Sequence, residues 1–312
     1  MSVAADTAQR RGRKIPLRLG KLQPLLFIAP FIAVLAAFHF YTYYVGVKMS
    51  FTDAQSINPG EWIGVSNYVE VLTDDPDFWA AIRHTIYFTV GGLLTQIPGA
   101  LILAVILNGI AGRLRGVLRT SYYIPVLINT VVASLIFRMM FNRDTGLINW
   151  TLGRLGLPNN TNWLYDSAYS VPLMVAVAFW QWVGYHMVYL LASLQAIDPQ
   201  VYEVAKLDGA SPLRVLFQIT IPLLRPALTF VSVTSAIGCL QVFEYPFLLF
   251  PNAGYGPGKA AMTAIPFIYR NAFSSQFRYG YAAAAGWIVF FMILAVSLLQ
   301  LRVLGLSQAE DL

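Results

Sequence analysis

Residues 203–217 read EVAKLDGASPLRVLF, a stretch of charge and turn residues inside a chain that is otherwise strongly apolar. Of the 312 residues, 57% are hydrophobic and 14% aromatic, and the mean hydropathy is +0.59, outside the usual range of a soluble domain. An α-helix needs about 20 apolar residues to cross a hydrocarbon core of roughly 30 Å. Six runs of that length stand out, near 25–47, 84–107, 118–141, 171–196, 227–250 and 282–304, so an all-α integral membrane protein with six transmembrane helices is expected. The quoted stretch falls in the loop 197–226, between the fourth and fifth helices.

Basic residues near helix ends stay on the cytoplasmic side. Thirteen of the 21 Lys and Arg residues lie on the side that holds the N-terminal tail, the turn with Arg113, Arg115 and Arg119, the loop 197–226 and Arg302; eight lie on the other. Both termini are therefore expected in the cytoplasm, and the net charge of +6 reads as an orientation signal. Nucleic acid is not an expected partner, because no soluble basic domain is present. Residues 1–24 form a basic cytoplasmic tail and 25–312 the membrane domain. The run 25–47 is too long for the apolar part of a cleaved leader and is read as the first span. Cys239, the lone cysteine, is expected to be a small buried hydrophobe.

With that topology, the loop 197–226 lies on the cytoplasmic side. Pro199 to Leu207 suits a short helix with Val201, Val204, Ala205 and Leu207 on an apolar stripe. Asp208 and Gly209 break it. Ser211 before Pro212 is an N-cap with proline at the first helical position, so a second helix begins there and ends near Pro222 and Pro226. Two short amphipathic helices bent at a glycine make a compact knob. By periodicity alone it could equally lie on the membrane surface.

The order Glu203, Ala205, Asp208, Gly209, Ala210, Phe217, Ile219, Pro222 and Pro226 resembles the cytoplasmic signature loop of permease subunits in bacterial ABC importers. There a Glu-Ala-Ala opening precedes a glycine and, nine residues later, Ile-x-Leu-Pro; here Val204 replaces the second alanine and Ile221 the leucine. Further segments are similar to the carbohydrate branch, the maltose and glycerol-phosphate permease type: Gly64 to Tyr68, Asp144 to Asn149, Trp180 to Gln195, and Leu240 to Glu244 with Gly254 to Gly258. His84, Gly184 and the run Phe250 to Ala253 depart from the branch pattern. The resemblance implies that the knob is a coupling helix seated on a separate ATP-hydrolysing subunit, with Glu203, Ala205, Asp208, Gly209, Ile219 and Pro222 carrying the contact. It also implies a pair of ATP-binding subunits holding ATP and Mg, a second permease that is usually a paralogue, and an extracytoplasmic solute-binding protein. The surrounding lipid and a sugar substrate complete the expected partners, in the cell membrane of a bacterium. No cofactor is expected on this chain, which lacks the G-x-x-x-x-G-K-[ST] phosphate loop.

A substrate path also follows from cost. Glu244 is the one acidic residue within a span, and a charge in the bilayer core costs at least about 2.5 kcal/mol, so it is expected to face a wet cavity or a partner. Gln241, three residues earlier, would share its helix face, with Tyr245 beside it. Trp180, Gln181, Trp182, Tyr185, His186 and Tyr189 cluster in the fourth span, where rings can stack on sugar faces and amides can bind hydroxyls. The substrate path is placed at Gln181, Trp182, Tyr185, Gln241, Glu244 and Tyr245, with Gln96, Asn129 and Thr130 ranked below. Asp74, Asp75 and Asp77 are expected to form a solvated turn. The alternatives are a proton-coupled secondary transporter using Glu244 and, less favoured, a polytopic membrane enzyme. For an enzyme no acid pair, nucleophile with its base or metal cluster is seen, so no catalytic or metal residue is assigned.

Overall fold

The computed structural model describes residues 23–55, 60–251, 255–274 and 277–304. All of the basic tail but Gln23 and Pro24 lies outside the described residues, as do Asn252, Ala253 and Gly254. Among the described residues there is no β-strand, only the isolated bridges Thr52 to Trp62 and Gln55 to Arg278. The chain divides into two compact units, one ending at Lys48 and the other Met49–Leu312. The described part of the first belongs to helix α1 (Phe27–Ser50), whose last two residues fall in the second unit; the helix is apolar on every side, with Phe27, Phe31, Phe38 and Tyr44 all exposed. A helix of that kind is suited to lipid.

The second unit is built on α2 (Pro76–Gly109), which runs roughly 50 Å at 1.5 Å per residue and so is longer than a hydrocarbon core of roughly 30 Å is thick. After it come α3 (Arg113–Leu127), α4 (Thr130–Met140), α5 (Leu147–Arg154), α6 (Ser167–Gln195), α7 (Pro199–Leu207), α8 (Pro212–Leu223), α9 (Arg225–Leu240), α10 (Ala264–Phe273) and α11 (Tyr279–Leu304). Helices α1, α2, α6 and α11 are each long and apolar enough to cross a membrane; α3 with α4 and α8 with α9 reach that length only as bent pairs. The candidate spans therefore number four to six.

Helix α6 lies along α2 by fitting side chains over missing ones. A β-carbon at Gly99 would come within 2.6 Å of the Phe179 ring, the small-residue approach that membrane helices use. Below that contact Ala100, Ala104 and Leu107 pack on Met187, Leu190, Leu191 and Leu194, and α9 joins them through Ala227 and Val231.

Two runs expected as continuous spans are broken. The run 118–141 bends by 95° between α3 and α4. Pro125 cannot donate and crowds the preceding turn, and Asn129 leaves helical geometry to cap α4, its Oδ1 accepting from the Val131 N–H at 2.9 Å. The run 227–250 is helical only to Leu240. Gln241 leaves the helix, Tyr245–Leu249 forms a π-turn around Pro246, and Phe250 is extended. The carbonyl of Val242 in that break accepts from the Thr263 hydroxyl at 3.1 Å, as a buried polar group requires.

The loops after α1 are held by specific side chains. Asn67 Nδ2 donates to the carbonyls of Ser50 and Thr52 at 3.0 and 2.8 Å. Of the acidic group expected as a solvated turn, two members are anchors. Asp75 Oδ1 accepts from the N–H groups of Asp77 and Phe78 at the start of α2, while its Oδ2 accepts from the Tyr281 hydroxyl at 2.6 Å. Asp77 pairs with Lys259 at 2.6 Å and Arg270 at 3.0 Å. The partners lie about 180 to 200 residues downstream, which no local pattern reveals.

Candidate functional site: a polar cavity between three helices

A cavity of about 290 Å³ lies between α2, α6, α9 and the broken segment after α9, with Thr130 of α4 at its edge. Its size is at the lower end of small-molecule sites, about 300–1,000 Å³. One wall is aromatic: Trp182 and Tyr185 meet edge to face at 6.2 Å between ring centroids, and each is more than a third exposed. The lining also carries Thr234, Ser235, Gln241 and Glu244.

A chain of hydrogen bonds fixes the aromatic wall. Trp182 Nε1 donates to the Tyr245 hydroxyl at 3.0 Å, which donates to Gln181 Oε1 at 2.8 Å. Gln181 Nε2 in turn donates to the Ile128 carbonyl at 2.8 Å. That carbonyl belongs to the break between α3 and α4, so the amide supplies the bond that the bend removed. Deeper in, His186 Nε2 lies 3.3 Å from Gln96 Oε1 and 3.0 Å from Ser235 Oγ, joining α6 to α2 and α9. Its Nδ1 is buried with no partner among the described residues.

Five of the six residues placed on the substrate path line this cavity: Trp182, Tyr185, Gln241, Glu244 and Tyr245. Gln181 does not; it is 1% exposed and sits behind Tyr245 as a bracket. Gln241 and Glu244 do not share a helix face, because the helix ends at Leu240; the break brings them to the same wall instead. Gln96 and Thr130 also line the cavity, whereas Asn129 is a helix cap. Cys239 is buried, as expected of a small hydrophobe, and also borders the cavity. The reading from sequence missed Thr234, Ser235 and Gly238. Thr234, Ser235 and Gly238 lie on one helical face of small and polar residues in an apolar run, and that stripe was the available signal.

The knob forms as the sequence indicates, with α7 over Pro199–Leu207 and Ser211 capping α8 by accepting from the Arg214 N–H at 3.4 Å. Between them Gly209 has φ +70°, its N–H donating to Lys206 O at 3.1 Å and the Ala210 N–H to Ala205 O at 3.0 Å. These are the two bonds of a Schellman cap, whose left-handed residue favours glycine. Glu203 and Asp208 are exposed, Ala205 is buried inside the knob, and Ile219 and Pro222 are half-buried on α8. Leu207, Leu213 and Phe217 are 87%, 68% and 63% exposed, three large apolar side chains on the knob that also carries two exposed carboxylates. Such patches mark interaction surfaces.

The sequence of residues 96–306 matches the model of a protein family described as the binding-protein-dependent transport system inner membrane component. The chain belongs to this family. The permease is 34% identical over 93% of its length to the arabinooligosaccharides transport system permease protein AraP of Bacillus subtilis strain 168, of which 91% is covered. It is also 34% identical over 88% of its length to the lactose transport system permease protein LacF of Rhizobium radiobacter, again covering 91%. Its backbone resembles, with a TM-score of 0.80 and 25% identity, a chain in the crystal structure of a bacterial ABC transporter involved in the import of the acidic polysaccharide alginate; 92% of the permease and 96% of that chain are covered. The permease is thus a membrane transport component of the ABC type, not an enzyme.

Proposed function

We propose that this permease forms the path of a saccharide through an ATP-driven importer, crossing the membrane six times with both termini in the cytoplasm. The bent pairs α3 with α4 and α8 with α9 each count as one crossing. The observation that carries the reading is the cavity: a pair of aromatic rings faced by amides, hydroxyls and a carboxylate, at the meeting of apolar helices. Rings offer faces to the C–H surface of a sugar, and the polar wall offers donors and acceptors to its hydroxyls. The permease relatives for arabinooligosaccharides and lactose support a saccharide as the solute.

The knob α7–α8 is the seat for one ATP-binding subunit of a pair, which holds ATP and Mg. Its exposed Leu207, Leu213 and Phe217 would fill a cleft on that partner, and Glu203 and Asp208 would meet cations at its rim. One copy supplies one knob, so a second permease chain is required. The family description implies delivery of solute by a binding protein on the outer side, and closure of the ATPase pair would turn the cavity from inward to outward access.

The energy source tests this directly. Proteoliposomes holding the complete importer should take up labelled saccharide only when ATP is supplied on the ATPase side, and a protonophore should leave uptake unchanged. Uptake that follows an imposed pH gradient without ATP would favour a secondary transporter in which Glu244 carries the proton.

A further inference from the structure

Glu244 is half-buried in the cavity wall, and no described residue forms a hydrogen bond or ion pair with its carboxylate. Among the described residues lining the cavity there is no lysine or arginine. The other polar groups lining it, among them Gln96, Thr130, Thr234, Ser235, Gln241 and the Tyr185 hydroxyl, are neutral amides and hydroxyls. His186 is engaged through Nε2 with Gln96 and Ser235. A single unpaired carboxylate among neutral hydrogen-bonding groups can accept from sugar hydroxyls or a sugar ammonium, but the described lining holds no lysine or arginine to compensate a second negative charge.

We propose that Glu244 is a specificity-determining residue, a charge filter that admits neutral and amino saccharides and rejects uronates and other anionic sugars. The proposal rests on the saccharide-path reading of this cavity and narrows it to a substrate class. A sphere of the cavity's volume, about 290 Å³, is roughly 8 Å across, which sets the scale of the separation between a bound anionic group and the Glu244 carboxylate. At an effective dielectric of about 20, repulsion over that distance weakens binding by about thirtyfold, and by more at closer approach. Burial sharpens the discrimination, because salt screens a buried pair poorly. The filter separates this permease from the alginate importer that shares its fold, whose solute is an acidic polysaccharide.

The test compares sugars that differ only by oxidation at C6: glucose with glucuronate, and galactobiose with digalacturonate. Equilibrium binding to the complete importer in nanodiscs is measured at neutral pH, without the binding protein, whose own selectivity would otherwise intervene. The unmodified importer should bind the neutral member of a pair at least about thirtyfold more tightly than the uronate. Glu244→Gln, which keeps shape and removes charge, should shrink that ratio at least tenfold. Gln241→Lys, placed on the same wall, should shrink it with Glu244 still present, which keeps the test open if the first variant fails to assemble. Equal affinity for the two members, or a ratio unmoved by both substitutions, overturns the charge filter while leaving the saccharide path in place. Absence of binding by either member of both pairs removes the saccharide reading of the cavity, and the filter with it.

Discussion

A β-carbon at Gly184 would sit 1.7 Å from the carbonyl oxygen of Tyr122 and 2.5 Å from its carbon, backbone atoms of α3 that cannot turn aside as a side-chain tip would. Gly184→Ala therefore has to push α3 away from α6, and overpacking of that kind costs about 1–3 kcal/mol. The purified complex carrying it should melt several degrees lower, and an unchanged melting temperature would mean that the close approach is not rigid. Gly209 is the opposite case. Space around it is open, with no atom within 4 Å of an added β-carbon, and only its φ of +70° is demanding. A β-branched residue there pays about 1–2 kcal/mol for left-handed geometry, whereas asparagine tolerates it. Gly209→Asn should keep most of the ATP-driven uptake that Gly209→Val loses; equal losses would show that bulk, not backbone geometry, limits this position. The sequence marks both residues, Gly209 through the turn it makes and Gly184 as a departure from the family pattern. What Gly184 does was hidden, because its partner is a backbone atom 62 positions away.

The broken elements show why apolar composition locates spans but not their shape. Hydropathy stays high on average through 118–141 and 227–250, since Ile128 and Val242 are as apolar at a break as within a helix. Pro125 and Pro246 were the visible hints. Invisible from sequence were the remote groups that make each break affordable: Gln181 for the Ile128 carbonyl and Thr263 for that of Val242. The same long-range character made Gln181 look like a ligand group when it is a bracket, and made Asp75 and Asp77 look like a solvated turn. Trp182, Tyr185 and Glu244, by contrast, were legible because an aromatic cluster and a lone carboxylate in apolar runs both need a wet surface nearby. The bracket yields a quantitative expectation. Gln181→Leu with Tyr245→Phe, compared with each single change, should show a coupling of about 0.6 kcal/mol, the average for hydrogen bonds between membrane helices, and at most about 1.7. Thermal unfolding of the four assembled variants measures it. Strict additivity would mean that the Tyr245 to Gln181 hydrogen bond adds nothing to stability and that Tyr245 is held by packing and by Trp182.

Across the whole molecule, the knob and the cavity occupy different parts of one continuous scaffold. Helices α8 and α9 join at Leu224, buried at 1% exposure in the core that α2 and α6 build. That joint is a continuous covalent and packed connection from α7 and α8 to the helix that carries Thr234 and Ser235 to the cavity. If the knob couples to the ATPase and the cavity carries solute, damage to the two should differ in kind. The most direct test is to measure ATP hydrolysis and saccharide uptake on the same proteoliposomes, containing the complete importer, for Phe217→Asp on the knob and Trp182→Ala in the cavity. Phe217→Asp should lower both activities together, by tenfold or more, because the partner loses its seat. Trp182→Ala should leave binding-protein-stimulated hydrolysis within about twofold while uptake falls at least tenfold. Uptake unaffected by Trp182→Ala, or hydrolysis and uptake both untouched by Phe217→Asp, would contradict this division of labour.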